Sequence, residues 1–444
     1  MAKNKKYFGY FHAMGTGKTY SSINLAAHHY SLGRIDRLMV IAQLSSHLVW
    51  TNELKKYAQF SYYLPKFGKV SGISGLPIMI VGIESLSAGK AYEDYALPFV
   101  KGGKTMIIVD ESLRIKNHKA IRTKKCWKLG ELATVRVILT GRHITQGIHD
   151  LFSQMRFLHP SILGHKSFYT FRNEYCVLGG FQGKQIVGYQ NKDKLLKLVS
   201  GCTHTVSSKQ ALPDLPPKVY EVRYVEPTDE QKKHLISLKK LMMTEHSGQE
   251  IEVSTILERL LRYQQIVGGF LSVDKIPYAF DKNPKIEAML DVIEEMDPDQ
   301  KTIIWARFKP EIWAIRDALI KEYGPNSVVT FFGDNAKVVN DQNSQNFMDG
   351  KVRFIVASQP SAARAMQWHI AKYAVFYSNT MSFDDRDQAE ERCHRKGSEG
   401  HDSIVYVDLT MNHEIDKLIL EILSSKKDMS NWVQEQLENS ALGA

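Results

Sequence analysis

Cysteine is scarce: Cys126, Cys176, Cys202 and Cys393 are the four in 444 residues, and no two of them form a C-x-x-C pair. That spacing gives no ligand set for structural zinc and no disulfide framework, so reduced thiols are expected. Long apolar runs are missing too. No stretch of about 18 uncharged apolar residues occurs, so no membrane-spanning helix is expected. The N-terminus, Met1-Ala2-Lys3-Asn4-Lys5-Lys6, is basic, but no apolar segment follows it, which excludes a secretory signal and points to the cytoplasm. Acidic residues are outnumbered, 48 against 58 Lys and Arg, for a formal charge of +10. A positive surplus favours a polyanionic partner, although many basic proteins never touch nucleic acid.

What is present is a repeated alternation. Short apolar runs at Phe8–Phe11, Arg37–Ala42, Ile78–Ile83, Thr105–Val109 and Arg136–Leu139 have strand length. Helical periodicity lies between them, at Lys18–Leu32, Ser45–Ala58 and Ile148–Leu158. Alternating β and α units imply a parallel sheet covered on both faces. From Ser161 to Asp281 the pattern is mixed, with long helical stretches at Glu230–Glu245 and Ser254–Ile266. The run Leu212-Pro213-Asp214-Leu215-Pro216-Pro217 cannot be a helix interior and reads as a linker. Alternation then returns from Pro284 to Leu409, with a helix expected over Asp384–Arg395. The fold class is α/β, two parallel-sheet lobes with a helical insertion between them. The expected boundaries are 1–160, 161–281 and 282–430, with a polar tail at 431–444.

Three sites carry chemistry. Met14-Gly15-Thr16-Gly17-Lys18-Thr19 follows a strand and opens a helix, the setting a phosphate-binding loop requires. Glycines let main-chain N–H groups turn onto phosphate oxygens, and the helix N-terminus adds partial positive charge. Lys18 would reach the β- and γ-phosphates of ATP, and Thr19 would bind Mg²⁺. The strict pattern has glycine where this chain has His12. The plainer alternative is a glycine turn between strand and helix.

The apolar run Met106–Val109 ends in two acids. Asp110 suits a Mg²⁺ ligand and Glu111 suits the group that orients or deprotonates the attacking water. Carboxylates at the C-terminal end of a parallel strand sit where such sheets bind ligands. Alone, the pair could equally be a solvated helix cap; the loop upstream favours catalysis.

The third site is Gln388-Ala389-Glu390-Glu391-Arg392-Cys393-His394-Arg395. On a helix, Arg392 and Arg395 would share a face and could clamp a γ-phosphate. Without the other two sites, a solvated basic face would be the better reading.

These sites in this order resemble the superfamily 2 helicase-like ATPases, and in detail the Swi/Snf-type DNA translocases. The likeness spans nearly the whole chain. Asp110-Glu111-Ser112-Leu113-Arg114-Ile115-Lys116-Asn117 is similar to that branch's extended second motif, D-E-A-H-R-I-K-N. Leu139-Thr140-Gly141 through Phe157-Leu158-His159-Pro160 is similar to its third, L-T-G-T-P-I followed by F-L-H-P. Gln388 to Gly397 is similar to its sixth, Q-A-x-x-R-x-x-R-x-G, and Leu215-Pro216-Pro217-Lys218 with Gln231 is similar to the segment joining its lobes.

The resemblance implies two RecA-like lobes, with ATP in the cleft between them. Lys18 and Thr19 would hold it from one side and Arg392 and Arg395 from the other, with Gln388 in the same motif. Thr140 and Gly141 would couple nucleotide state to DNA grip. The lobes would step along duplex or branched DNA with little sequence specificity. Candidate phosphate contacts are Arg114, Lys116, Lys119, Arg122, Lys124 and Lys125; a solvated helix face explains them equally well.

Departures are specific. Arg142-His143 replaces Thr-Pro in the third motif. The fifth motif, T-K-A-G-G-E-G-L-N-L in the family, reads Gln359-Pro360-Ser361-Ala362-Ala363-Arg364-Ala365-Met366-Gln367-Trp368, with alanine at three glycine positions. The helix and glutamine motif that read adenine in the family are absent before Gly9. Relaxed base selectivity, a shortened reading frame, or a protein partner that supplies the missing piece would each account for this. The compact length is similar to that of phage-encoded members, which implies the host cytoplasm.

The expected activity is DNA-dependent ATP hydrolysis driving translocation, remodelling, annealing or branch migration. One alternative is a DNA-binding or assembly subunit that keeps the fold without coupling. A lower one is an RNA helicase.

Overall fold

The computed structural model describes residues 2–13, 15–65, 69–70, 72–87, 90–180, 183, 185–244, 253–273, 276–363 and 367–426. Met14, Glu245, Arg364, Ala365, Met366 and the tail 431–444 lie outside those residues, as do the side chains of Ala362 and Ala363.

The chain divides between Pro213 and Asp214 and again after Ser425: residues up to Pro213, with Lys426, form one compact unit and Asp214–Ser425 another. The first division falls inside the proline-rich linker, where two prolines in three residues prevent a helix from running through.

The strands of the first unit are β1 (Tyr7–His12), β2 (Arg37–Ala42), β3 (Tyr62–Tyr63), β4 (Leu76–Gly82), β5 (Thr105–Val109), β6 (Val135–Thr140), β7 (Cys176–Gly179), β8 (Gln185–Tyr189) and β9 (Thr203–Val206). Seven of them form a sheet in the order β3-β4-β2-β5-β6-β1-β9, with every described pairing parallel. β7 and β8 make a separate antiparallel hairpin. Successive residues of β2 and β5 enter opposite cores. Leu38, Val40, Met106 and Ile108 pack on one face, and Met39, Ile41, Ile107 and Val109 on the other. That two-sided burial explains why these strands read as unbroken apolar runs rather than alternating ones. Each fully buried aliphatic side chain contributes about 1.5–3 kcal/mol.

The second unit carries β10 (Lys218–Val225), β11 (Phe270–Val273), β12 (Ile276–Ala279), β13 (Lys301–Ala306), β14 (Val328–Phe331), β15 (Phe354–Ser358), β16 (Ala371–Phe376) and β17 (Ile404–Met411). Its sheet runs β10-β17-β16-β13-β15-β14, again parallel throughout. Ile304, Val356, Val375 and Val407 fill one core, and Ile303, Ile355, Phe376 and Tyr406 the other. The two parallel-sheet α/β lobes are those expected.

The interval 161–281 is shared between the units and is not purely helical. It holds the helices Phe168–Tyr175, Lys192–Ser200, Asp229–Thr244 and Val253–Val267 together with β7 to β12. β9 completes the first sheet and β10 begins the second. Gln231 is buried, and its amide nitrogen donates to the Ile266 carbonyl at 2.9 Å, tying the helices Asp229–Thr244 and Val253–Val267 together.

Arg392 and Arg395 do not lie on the helix expected to carry them. The helix expected over Asp384–Arg395 is Phe383–Glu390, and Arg392 and Arg395 lie in the turn that follows. The helix stops because its end is pinned. Glu390 is held in buried ion pairs, and Cys393 turns inward, its thiol donating to the Glu390 carbonyl at 3.4 Å.

Candidate functional site

β1 delivers the chain to the glycine loop, and the helix Lys18–Ser31 carries it away. Gly15 and Gly17 both adopt left-handed backbone, with φ of 75° and 81°. A Cβ at Gly17 would meet nothing within 4 Å, so its need for glycine comes from the dihedral and not from crowding. Gly17 caps the helix without a side-chain hydrogen bond. The first N–H groups of a helix have no intrahelical partners, and here no cap replaces them, so they suit an anion. Lys18 donates to the carbonyls of His12 at 2.8 Å and Ala13 at 3.1 Å, and Thr16 donates to Ala13 at 2.7 Å. Thr19 is half-buried in the first turn of the helix.

His12, at the position where the family pattern has glycine, is buried at the end of β1. Its Nε2 lies 2.9 Å from His204 Nδ1 on β9. Burial, with His204 and Lys18 adding to it, lowers its pKa to about 4, so the imidazole is neutral.

The paired acids end β5, two strands from β1 in the same sheet. One oxygen of Asp110 accepts from the Trp50 indole at 2.8 Å and the other from the Glu111 N–H at 3.0 Å. Burial pushes the Asp110 pKa up, while Trp50 and the Lys18 ammonium pull it down. A half-buried carboxylate held by two neutral donors, with a lysine nearby, has the chemistry of a divalent-cation ligand. Glu111 sits at φ 48°, one of two non-glycine residues with positive φ among those described. Such backbone costs about 1–3 kcal/mol and persists only where its surroundings impose it. Asp110 imposes it on one side, and on the other the Arg114 N–H donates to the Glu111 carbonyl at 2.9 Å.

The third motif follows β6. Thr140 is buried, its hydroxyl hydrogen-bonded to the Arg142 carbonyl, and Gly141 is half-buried in the bend after it. His143 stacks on Phe11 with ring centroids 4.6 Å apart, and burial lowers its pKa to about 3. A buried chain of hydrogen bonds joins this loop to the acids. Ser112 donates to Gln154 Oε1 at 2.8 Å, and Gln154 Nε2 donates to the His143 carbonyl at 2.8 Å and the Asp150 carbonyl at 3.0 Å.

In the second unit, Gln388 donates to Asp384 at 3.1 Å, and Arg392 Nε donates to the Gln388 carbonyl at 3.0 Å. Arg392 is buried, and burial lowers the Arg395 pKa below the ordinary guanidinium value while Glu391 raises it. Beneath them, Arg386 pairs with Asp408 and Glu390, all three buried.

The basic run after the acids splits. Lys116 lies 3.9 Å from Asp150, Lys125 lies 3.6 Å from Glu93, and Arg122 donates to the Arg114 carbonyl at 2.9 Å. Lys119 and Lys124 are exposed.

The SNF2-related domain family matches residues 10–268, more than half of the chain. The chain belongs to that family. It is a Swi/Snf-type member of superfamily 2. The human DNA annealing helicase and endonuclease ZRANB3 is 23% identical over 433 residues, which cover 94% of this chain and 38% of that protein. Protein CHROMATIN REMODELING 4 of Arabidopsis thaliana is 20% identical over 377 residues, 76% of this chain and 16% of its own length. A solved Sulfolobus solfataricus SWI2/SNF2 ATPase core in complex with dsDNA aligns over 100% of this chain and 92% of that one, at 22% identity and a TM-score of 0.43. The family assignment rests on the sequence match. The chain spans about two fifths of the length of the ZRANB3 relative. No helix among the described residues is long and apolar enough to cross a membrane.

Several residues around the sites of this SNF2-related chain were not legible as motifs. Trp50 lies 60 positions before the carboxylate it holds, and nothing in its helix marks it. Ser112 and Gln154 occupy positions inside recognised motifs, so their polarity was visible but their pairing was not. Arg386 lies just before the sixth motif, and only the fold brings Asp408 to it.

Proposed function

We propose that this SNF2-related chain hydrolyses ATP and uses the energy to move on duplex or branched DNA. The observation that carries this reading is the uncapped helix N-terminus beside Lys18, with half-buried Asp110 close enough to feel the lysine charge. The N–H groups of the first helical turn and the Lys18 ammonium would bind phosphate oxygens, with Gly15, Thr16 and Gly17 shaping the loop. Met14 belongs to the same loop by sequence. Thr19 and Asp110 would hold Mg²⁺ arriving with the nucleotide, which neutralises phosphate charge. Glu111 would orient the attacking water and take its proton, and the strained backbone fixes where its carboxylate can reach. Arg392 and Arg395 would stabilise charge on the transferring phosphoryl group, with Gln388 supporting Arg392 through its carbonyl.

Thr140 and Gly141 would link the nucleotide site to DNA. Exposed Lys119 and Lys124 are the best phosphate contacts of the basic run, since Lys116, Arg122 and Lys125 are engaged within the protein. Contacts to phosphate give affinity without sequence specificity. The names of the relatives, an annealing helicase and a chromatin remodeller, support DNA as the track.

The test is ATP hydrolysis measured alone and with single-stranded, duplex, forked and four-way DNA. Stimulation by duplex or branched DNA that disappears in Glu111→Gln is expected, and one rate with or without every DNA sinks the reading.

A second reading, a DNA-binding subunit without coupling, draws on His143 stacked on Phe11 where the family pattern has proline. It predicts duplex binding with hydrolysis no higher than in a Lys18→Ala control.

A further inference from the structure

The segment joining the two units is itself gripped by the turn that carries the arginines. Pro216 is buried, and its carbonyl accepts from His394 Nε2 at 2.9 Å. A carbonyl can only accept, so that ring nitrogen carries the proton. His394 lies between Arg392 and Arg395. The next carbonyl, of Pro217, accepts from the Ile404 N–H at 3.0 Å and starts the pairing of β10 with β17. Two further contacts come from β10. Lys218 Nζ lies 3.2 Å from Glu390 Oε2, and the Tyr220 hydroxyl donates to the same oxygen at 2.7 Å. The other oxygen of Glu390 accepts from Arg386 Nε at 2.9 Å, so this carboxylate is held from both sides.

The mechanics of the segment matter. Each proline fixes φ near −65°, so Pro216-Pro217 is stiffer than an ordinary pair of residues. Both of its carbonyls are anchored, one on the arginine turn and one on β17. The chain crosses from one unit to the other at Pro213–Asp214, two residues before the first anchor. Only Asp214 and Leu215 separate that crossing from the anchored Pro216 carbonyl, so little chain is available to absorb a displacement before it reaches the arginine turn.

We propose that Pro216, Lys218 and Tyr220, gripped by His394 and Glu390, form a clamp that positions Arg392 and Arg395 according to the placement of the linker. His394, Glu390, Lys218 and Tyr220 act as positioning residues, because none of them needs to touch nucleotide. The clamp rests on the proposed role of the two arginines. It adds that their placement is set from the linker and not by the sixth motif alone.

The experiment compares His394→Leu, which removes the donor to Pro216, with His394→Gln, which keeps an N–H donor at similar reach. Tyr220→Phe, which removes one hydroxyl from a half-exposed ring, is the companion variant. Steady-state ATP hydrolysis is measured at saturating duplex DNA. His394→Leu is expected to lower kcat about tenfold with KM for ATP within about twofold, because positioning acts on the transition state rather than on ground-state binding. His394→Gln is expected to recover to within about twofold of the parent, and Tyr220→Phe to lose about threefold in kcat alone. A folded His394→Leu protein with unchanged kcat overturns the clamp, as does His394→Gln falling as far as the leucine variant. If His394→Leu fails to fold, an unchanged kcat in Tyr220→Phe overturns it instead. Arg392→Ala and Arg395→Ala are run alongside. If both keep full kcat, the role of the arginines fails, which separates that failure from failure of the clamp.

Discussion

In the first unit, Lys18 is held by two carbonyls of its own loop, and Asp110 by one indole and one neighbouring N–H. In the second, the arginine turn stands on a buried network. Arg386 donates to Asp408 at 2.9 Å and to Glu390 at 2.9 Å, and its guanidinium also reaches Asn379 at 3.1 Å. Asn379 in turn joins Gln359, the first residue of the fifth motif, at 2.8 Å. One site is thus made mainly of backbone shape and neutral donors. The other is made of charged side chains paired in a buried network. Contacts to two nearby carbonyls leave Lys18 free to exchange them for a ligand. A buried ionic network cannot lose a member without exposing the rest as unpaired charges.

That contrast predicts where substitutions should act. The largest effect on folding is expected from Arg386→Met, which strands Asp408 and Glu390 in the core and should destabilise the second unit by about 3–5 kcal/mol. Denaturant unfolding would show it, and a midpoint equal to the parent's would remove the distinction between the sites. Lys18→Ala should do the reverse. ATP hydrolysis should drop about a hundredfold to a thousandfold, while stability moves by no more than about 0.5 kcal/mol. A large loss of stability there would mean that the loop is structural as well.

The Ser112–Gln154 pair is where the first unit most resembles the second, so it sharpens the comparison. Gln154→Leu leaves the Ser112 hydroxyl and the His143 carbonyl without that partner and should cost about 1–3 kcal/mol. Adding Ser112→Ala should recover about 1 kcal/mol if the two are coupled. Strict additivity in that double-mutant cycle would show that the loops are not joined through this bond.

The smallest effect concerns Glu311 of the second unit, which burial raises from 4.5 to about 7 against the hydrogen bonds from Ser378 and the backbone. The folded state therefore holds the proton more tightly than the unfolded chain. Its contribution to stability is complete below the ordinary carboxylate range and is lost as pH rises through about 7. The parent should lose a few degrees of Tm relative to Glu311→Gln between about pH 5 and about pH 8. Calorimetry at several pH values would reveal parallel curves if the group does not titrate there.

Legibility followed the same division. The setting of Gly15, Gly17, Lys18, Thr19, Asp110 and Glu111 was readable because a strand, a glycine turn and a helix are written as residue types at fixed spacing. The parallel strands were readable because two-sided burial writes itself as an apolar run, and Arg37–Ala42 and Thr105–Val109 match to the residue. The arginine helix was read too long, since periodicity carries no record of the tertiary contacts that end it at Glu390.

The sequence by itself determined the two α/β lobes, the glycine loop that opens the helix Lys18–Ser31, the acids at the end of β5 and the family, because these depend on local pattern and short-range backbone geometry. Only the tertiary structure decided which side chains hold those groups. Trp50 on Asp110, Gln154 between two motifs, Arg386 under the arginine turn and His394 on the linker are contacts between residues 22 to 178 positions apart, where no periodic signal reaches.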